Sequence, residues 1–159
     1  MSAPGGDARA AGGDARAAGG DARAAGDTPR PTGRVVAVDH GSARCGVAVS
    51  DATGTLATPL DPVLRPGTRK GFNRLLAAIR AYEPARVVVG LPLSLSGADS
   101  AQTAEARAFA ERLRAALDVP VELYDERFTT SLAQQRPGTA AEDSRAAAVL
   151  LEDWLAARR

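Results

Sequence analysis

The 159-residue sequence contains one cysteine, one histidine and almost no excess of either charge. Because Cys45 is alone, an internal disulfide and a cysteine-built zinc site are both excluded, and a reducing compartment is the expected environment. Lys and Arg together number 20 against 19 for Asp and Glu, so the protein has no global positive field. Any surface that binds a polyanion must therefore be a local patch.

Long apolar runs and aromatic residues are also scarce. No stretch approaches the roughly 20 apolar residues of a membrane span, and the N-terminus lacks a charged-then-apolar signal pattern. We therefore expect a cytoplasmic protein that does not contact a membrane. Since aromatic residues make up only 4% of the chain, the core must be built from Val, Leu and Ala. The length predicts one soluble α/β domain.

The N-terminal part is a short repeat, Gly-Gly-Asp-Ala-Arg-Ala-Ala, which occurs three times between Gly5 and Ala25. Its period is too short for a solenoid unit, no position carries Leu, Ile or Val, and paired glycines oppose helix formation. We predict that residues 1–33 form a disordered, nearly neutral tail and that residues 34–159 form the folded domain.

Hydrophobic patterns in residues 34–159 predict strands and helices in the order β-β-β-α-β-α-β-α. The third strand should be irregular and confined to an edge, because it contains Pro59 and Pro62. The helical crossovers make the later strands parallel, which gives a mixed sheet of three antiparallel strands followed by parallel strands, flanked by helices, as in the RNase H-like fold. The predicted strands are Arg34–Asp39, Cys45–Ser50, Thr55–Leu64, Arg86–Leu91 and Val121–Phe128, and the predicted helices are Thr68–Tyr82, Ser100–Leu117 and Asp143–Ala157.

Three acidic residues occupy positions where carboxylates have a structural or a functional use. Asp39 ends a buried strand, where an ionised carboxylate needs a cation or hydrogen-bond donors, although an Asp there also starts turns. Glu126 lies near the end of a predicted central strand and has an ion pair with an arginine such as Arg127 as its alternative role. Asp143 precedes an apolar helical run and has the N-cap as its alternative. The residues alone leave these alternatives open.

The segment from Asp39 to Asp51 resembles the first motif of the YqgF family, Asp-x-Gly-x-x-Arg-x-Gly-Val-Ala-x-Ser-Asp, at every fixed position. Further stretches match in the right order, and the resemblance covers about residues 34–159. They are Val88–Leu93 with Gly97, Tyr124–Thr130, and Asp143–Ala147 leading to Leu150, Leu151 and Leu155.

The resemblance implies an RNase H-like nuclease in which Asp39, Glu126 and Asp143 meet at one end of the sheet. These residues would be catalytic and would bind Mg²⁺ or Mn²⁺, ions that favour all-oxygen sites, for hydrolysis by metal-activated water. The implied substrate is structured nucleic acid, either precursor 16S rRNA or branched DNA such as a Holliday junction. Ribosomal particles are further candidate partners. The sequence gives no oligomeric state.

Several other residues of these motifs have two interpretations each. Arg44 either contacts a phosphate or pairs with an acid in the hairpin. Thr129 and Thr130 either donate hydrogen bonds to a phosphate backbone of the substrate or cap a following helix. His40 is either a general base or a solvated loop residue. Cys45 is expected to pack as a small apolar residue in the second strand.

Basic charge is unevenly placed in this sequence. The helix near Arg65, Arg69, Lys70 and Arg74 is the candidate basic patch, with a solvated helix face as the alternative. By contrast, the segment 131–142 contains Arg136 as its only basic residue. It is shorter and less basic than is usual in the family.

That departure favours one alternative function, and the first hairpin indicates another. A non-catalytic protein that binds nucleic acid or ribosomes would retain the fold without cleavage. The Asp39-x-Gly41 hairpin also resembles the phosphate loop of actin-like and sugar-kinase-like proteins. Those proteins enclose a nucleotide between two domains, and this chain has room for one.

Overall fold

The structure is a computed structural model, and it describes residues 32–93, 100–126 and 140–158. Of the predicted tail, only the last two residues fall within these ranges. The helices and strands are β1 (Val35–His40), β2 (Arg44–Ser50), β3 (Ala57–Pro59), β4 (Val63–Leu64), α1 (Arg69–Ala81), β5 (Arg86–Leu91), α2 (Ala101–Ala116), β6 (Val121–Asp125) and α3 (Ala140–Ala156).

The strands form one mixed sheet in the order β3-β2-β1-β5-β6, with β4 also paired to β2. Strands β1 and β2 are an antiparallel hairpin in which Asp39 lies opposite Gly46. Strands β1, β5 and β6 run parallel, so their carboxyl ends meet at the same edge of the sheet. The predicted sheet is confirmed, and it gathers the ends of β1 and β6 on either side of β5.

The predicted third strand is in fact two short strands, and the prediction of one continuous strand from 55 to 64 was wrong. β3 pairs with the end of β2, where Pro59 lies opposite Ala48, and β4 pairs with its beginning, where Val63 lies opposite Cys45. Proline has no backbone N–H to donate, so Pro59 and Pro62 interrupt the ladder between them. Both strands lie on the same edge of β2, as expected.

Helices cover both faces of the sheet, and the alternation of strand residues decides which face each side chain meets. On one face Val36 and Val38 pack in a cluster with residues of α1 and α2, including Phe72 and Phe109. On the other face Val35 and Ala37 pack against α3. Continuing this alternation, Asp39 belongs to the α3 face and His40 to the α1–α2 face.

The helix starts explain two of the boundaries. The Thr68 hydroxyl accepts a hydrogen bond from the Gly71 N–H at 3.1 Å, which caps α1. Helix α3 begins at Ala140, and Asp143 lies within its first turn. The alternative role of Asp143 as the N-cap is therefore wrong, because the helix starts three residues before it.

No helix in the described ranges is long and apolar enough to cross a membrane.

The far end of α3 is fixed to the sheet by an ionic and aromatic cluster around Glu122. One carboxylate oxygen of Glu122 accepts from the Trp154 indole at 3.2 Å and from Arg158 at 2.5 Å, and the other accepts from Arg86 at 3.1 Å. The Arg158 guanidinium also lies 3.8 Å over the Trp154 ring. Because Glu122 and Arg86 begin their strands, this cluster is at the opposite end of the sheet from Asp39.

Candidate active site

Two carboxylates from non-adjacent strands meet over the strand between them. Asp39 lies near the end of β1, and Glu126 directly follows β6. Their side chains are hydrogen-bonded to each other, although β5 separates the two strands. Of the neighbouring acids Asp125 and Glu126, it is therefore Glu126 that contacts Asp39, and the strand alternation places it on the α3 face.

Gly90 of β5 provides the space for this contact. A Cβ at Gly90 would overlap Oε1 of Glu126 and would lie 3.1 Å from its Cδ and 3.2 Å from Cδ2 of Leu150. Any larger residue at this position would therefore occupy the space of the Glu126 carboxylate. The Gly-Leu-Pro motif carries little information in the sequence, and the structure gives its glycine a definite role.

Gly46 of β2 has the same role for the helix that carries Asp143. A Cβ at Gly46 would overlap the carbonyl oxygen of Asp143 and would lie 2.5 Å from the carbonyl carbon and 3.1 Å from the Ser144 nitrogen. The first turn of α3 thus lies directly on the β2 backbone. Since Gly46 is the ladder partner of Asp39, this close approach brings Asp143 beside Asp39.

Burial and mutual repulsion govern the protonation of these groups. Burial raises the pKa of Asp39, the hydrogen bond from Glu126 opposes that rise, and the negative charge of Asp143 adds to it. Burial also raises the pKa of Glu126, to about 8, and the charge and hydrogen bond of Asp39 contribute further. Near neutral pH the Asp39–Glu126 pair therefore shares a proton.

Arg44 lies against the third carboxylate. Its Nε is 2.9 Å from Oδ2 of Asp143, and both side chains are about one-third exposed, at 33% and 30%. That Oδ2 atom is buried and, within the described ranges, no group donates to it with hydrogen-bond alignment. The contact is therefore an ion pair that leaves an acceptor lone pair of Asp143 open.

The three carboxylates have the chemistry that a hard divalent cation requires, although their oxygen atoms do not surround a common point in this structure. In the part of the chain that the structure describes, no three Asp, Glu, His or Cys side chains surround a common point as a ready metal site. The donors are nevertheless all oxygen, which suits Mg²⁺ or Mn²⁺, and Asp143 keeps an open acceptor atom. The shared proton and the Arg44 contact are positive charges that a cation would replace.

His40 and Cys45 face away from these carboxylates. The His40 ring packs on Phe109, with ring centroids 4.5 Å apart, and burial lowers its pKa while the charge of Glu105 opposes that change. The expectation of a solvated loop histidine was therefore wrong. Cys45 is fully buried in the core on the same face, as predicted, and burial raises the pKa of its thiol.

Other predicted site residues lie outside the described ranges. They are Thr129 and Thr130, for which a phosphate contact was predicted, and Arg127, the alternative partner of Glu126. Sequence reasoning missed the two glycines that shape the site. Their fixed spacing within the motifs was the available signal, because a glycine between two strand residues marks a close approach of another group.

Comparison with known proteins identifies the family. The RuvX family, described as "Holliday junction resolvase", matches residues 33–157. The chain belongs to the RuvX family. A relative from Anaeromyxobacter dehalogenans is 41% identical over 131 residues, which cover 77% of this chain and 96% of the relative. One from Streptomyces avermitilis is 40% identical over 137 residues, covering 80% and 88%. Both bear the name "Putative pre-16S rRNA nuclease".

Solved structures show the same fold at low sequence identity. RuvC of T. thermophilus in complex with a Holliday junction substrate matches with a TM-score of 0.51 and 19% identity, covering 79% of this chain and 95% of RuvC. The yeast mitochondrial Holliday junction resolvase Ydc2 matches with a TM-score of 0.50 and 12% identity, covering 84% and 83%. The RNase H-like fold, the predicted family and its enzyme class, a nuclease, are confirmed.

Proposed function

We propose that this RuvX-family protein is a metal-dependent endonuclease that hydrolyses phosphodiester bonds of structured nucleic acid, with precursor 16S rRNA as its substrate. The observation that carries the proposal is the hydrogen-bonded pair of Asp39 and Glu126 beside Asp143. Keeping several carboxylates close together and partly buried costs stability unless a cation compensates them. Such a cost is typical of a functional site.

In this proposal Asp39, Glu126 and Asp143 bind Mg²⁺ or Mn²⁺. When bound, the cation supplies a water of lowered pKa and neutralises the negative charge that develops on the leaving oxygen. To serve as ligands, Asp39 and Glu126 would have to lose the proton that they share to the solvent. Hydrolysis then needs no covalent intermediate on the protein.

Arg44 lies where it could bind the phosphate beside the scissile bond. Its guanidinium already lies 2.9 Å from the Asp143 carboxylate, an anion with geometry like that of a phosphate. With a cation held by the acids, Arg44 would be able to form a bidentate contact with a substrate phosphate. Thr129 and Thr130, which follow Glu126 in the chain, remain predicted donors to the same backbone.

The relatives favour RNA over DNA as the substrate. The proteins that share about 40% identity with this chain are named for pre-16S rRNA, whereas the Holliday junction enzymes share 19% or less. Ribosomal particles as partners and the cytoplasm as the location belong to the same proposal. Resolution of branched DNA is the alternative, which the family description supports.

A cleavage assay tests the proposal. Purified protein is incubated with a precursor 16S rRNA fragment or with a four-way DNA junction, in Mg²⁺, Mn²⁺ or EDTA, beside the Asp39→Asn variant. The proposal predicts metal-dependent cutting of the RNA, lost in EDTA and in the variant. Faster cutting of the junction would reassign the substrate to DNA. Binding of RNA without cutting under any metal would instead show a non-catalytic binding protein, an outcome consistent with the incomplete convergence of the acids.

A further inference from the structure

Most arginines that the structure describes are engaged with another group, but those around the start of α1 are not. Ion pairs with acids engage Arg44, Arg86, Arg114 and Arg158. The side chains of Arg65, Arg69, Lys70 and Arg74 are exposed and, within the described ranges, form no ion pair or hydrogen bond. In a chain with nearly balanced charge, this is a local excess of unpaired cations.

Three of these cations line one cleft of about 460 Å³. No acidic residue is among its lining residues, which are Leu64, Arg65, Thr68, Lys70, Gly71 and Arg74. The first turn of α1 likewise has no acid. Like charges that face one open space repel one another, and an anion bound between them would relieve that repulsion. We name this feature the basic cleft.

The backbone of Arg65 is fixed in place, which orients one wall of the basic cleft. Its N–H donates to the Ala43 carbonyl at 2.9 Å, and its own carbonyl accepts from the Thr68 hydroxyl at 2.8 Å. A Cβ at Gly71 would overlap that carbonyl oxygen, so helix α1 contacts the Arg65 backbone directly. Arg65 is therefore anchored both to the β1–β2 turn and to α1.

The basic cleft lies at the same end of the sheet as the candidate active site, and α1 and α3 cover opposite faces there. In the β2–β4 ladder Leu64 is the partner of Arg44, and the Arg44 guanidinium contacts Asp143. Residues 44 and 45 of β2 therefore connect the basic cleft to the end of the sheet that carries the acids.

We propose that the basic cleft binds the sugar-phosphate backbone of the nucleic-acid substrate at a point away from the bond that is cut. The proposal rests on the proposed function for the identity of that substrate. Lys and Arg contacts to phosphates supply affinity and register rather than base specificity. The basic cleft thus provides the local patch that the small net charge of +1 requires.

A binding experiment without metal tests this proposal. The Lys70→Gln/Arg74→Gln double variant is compared with the Arg34→Gln/Arg107→Gln double variant, which removes the same charge from exposed positions outside the basic cleft. Fluorescence anisotropy in EDTA measures affinity for a precursor 16S rRNA fragment from low to physiological salt. We expect the cleft variant to bind about tenfold more weakly and to lose about 1.5 from the log–log salt slope, because two phosphate contacts are removed. The control variant should remain within about threefold of the wild-type affinity.

Arg65→Gln provides a third measurement, since a single lost phosphate contact should reduce the salt slope by about half as much. Equal weakening in the two double variants would overturn the proposal, because it would show a general charge effect. Equally tight binding to phosphatidylserine vesicles, lost in the same variant, would overturn the choice of nucleic acid. Failure of cleavage with this binding pattern intact would contradict only the proposed function, so the two proposals fail separately.

Discussion

At the scale of single residues, the important feature is a buried carboxylate pair that shares a proton near neutral pH in the absence of a cation. Asp39 and Glu126 are hydrogen-bonded, and the pKa of each is raised by burial. The proton that the pair shares neutralises part of the negative charge that a cation would otherwise neutralise. Gly90 leaves space for the Glu126 carboxylate, and Gly46 leaves space for the first turn of helix α3.

The raised pKa of Glu126 predicts how stability depends on pH. In the unfolded chain Glu126 loses its proton near pH 4.5, and in the folded protein its pKa is about 8, so it keeps the proton to that pH. The associated stability is therefore fully present below about pH 4.5 and is lost as pH rises toward 8. In EDTA, the free energy of unfolding from urea titrations should fall over this window by roughly 2–4 kcal/mol.

The matched variants separate this effect from general titration. Glu126→Gln should remove most of the fall and should be more stable than the wild type at pH 8, while Glu152→Gln, on an exposed part of α3, should keep the wild-type slope. If Glu126→Gln showed the same decline as the wild type, the shared proton would not exist.

Gly90→Ala is a test of geometry at the same scale. The new methyl group would meet the end of the flexible Glu126 side chain, which can move aside at little cost to the fold. We expect a loss of about 1 kcal/mol in stability, and a fall of about a hundredfold in the cleavage rate because a ligand is misplaced. Gly67→Ala is the control, since a Cβ there meets nothing within 4 Å. Unchanged cleavage by Gly90→Ala would show that the position of Glu126 is irrelevant.

At the scale of elements, helix α3 brings Asp143 to the sheet, and this placement requires close contact between α3 and β2 at Gly46. Gly46→Ala would place a methyl group on the Asp143 backbone, which has no freedom to move without the helix. We expect a loss of about 2–3 kcal/mol in unfolding free energy, larger than that of Gly90→Ala. Urea denaturation of both variants gives the comparison. A smaller loss for Gly46→Ala would contradict the close approach of α3.

The elements also show how far the sequence was informative. Apolar periodicity located the helices and the central strands within a few residues. The start of α3 was missed because its first turn contains Ala140 and Ala141, which favour a helix but give no apolar stripe. The split third strand was missed because two prolines in an edge segment permit either one bent strand or two.

The site was only partly predictable for a physical reason. Motif residues fixed which acids to consider, but a sequence does not show which backbones approach each other. The roles of Gly46 and Gly90 therefore required coordinates. The partner of Arg44 was likewise undetermined, because a guanidinium binds a carboxylate and a phosphate equally well.

At the scale of the whole molecule, the candidate functional groups are concentrated at one end of the sheet. Asp39, Glu126 and Asp143 lie there, with the basic cleft beside β4, whereas the Glu122 cluster stabilises the opposite end. In the two proposals, this separation would let the nearly neutral protein present acids to a metal ion and cations to a phosphate backbone. The division into a tail of residues 1–33 and a domain of residues 34–159 stays a prediction.

The central claim is that a divalent cation takes the place of the proton shared by Asp39 and Glu126. Calorimetric titration of the protein with Mn²⁺ at pH 7, in buffers of different ionisation enthalpy, measures both the affinity and the protons released. The account predicts binding with release of about one proton, because a cation requires its carboxylate ligands to be ionised. It also predicts that Asp39→Asn abolishes the binding. Absence of Mn²⁺ binding at millimolar concentrations, or equal binding by Asp39→Asn, would contradict the claim.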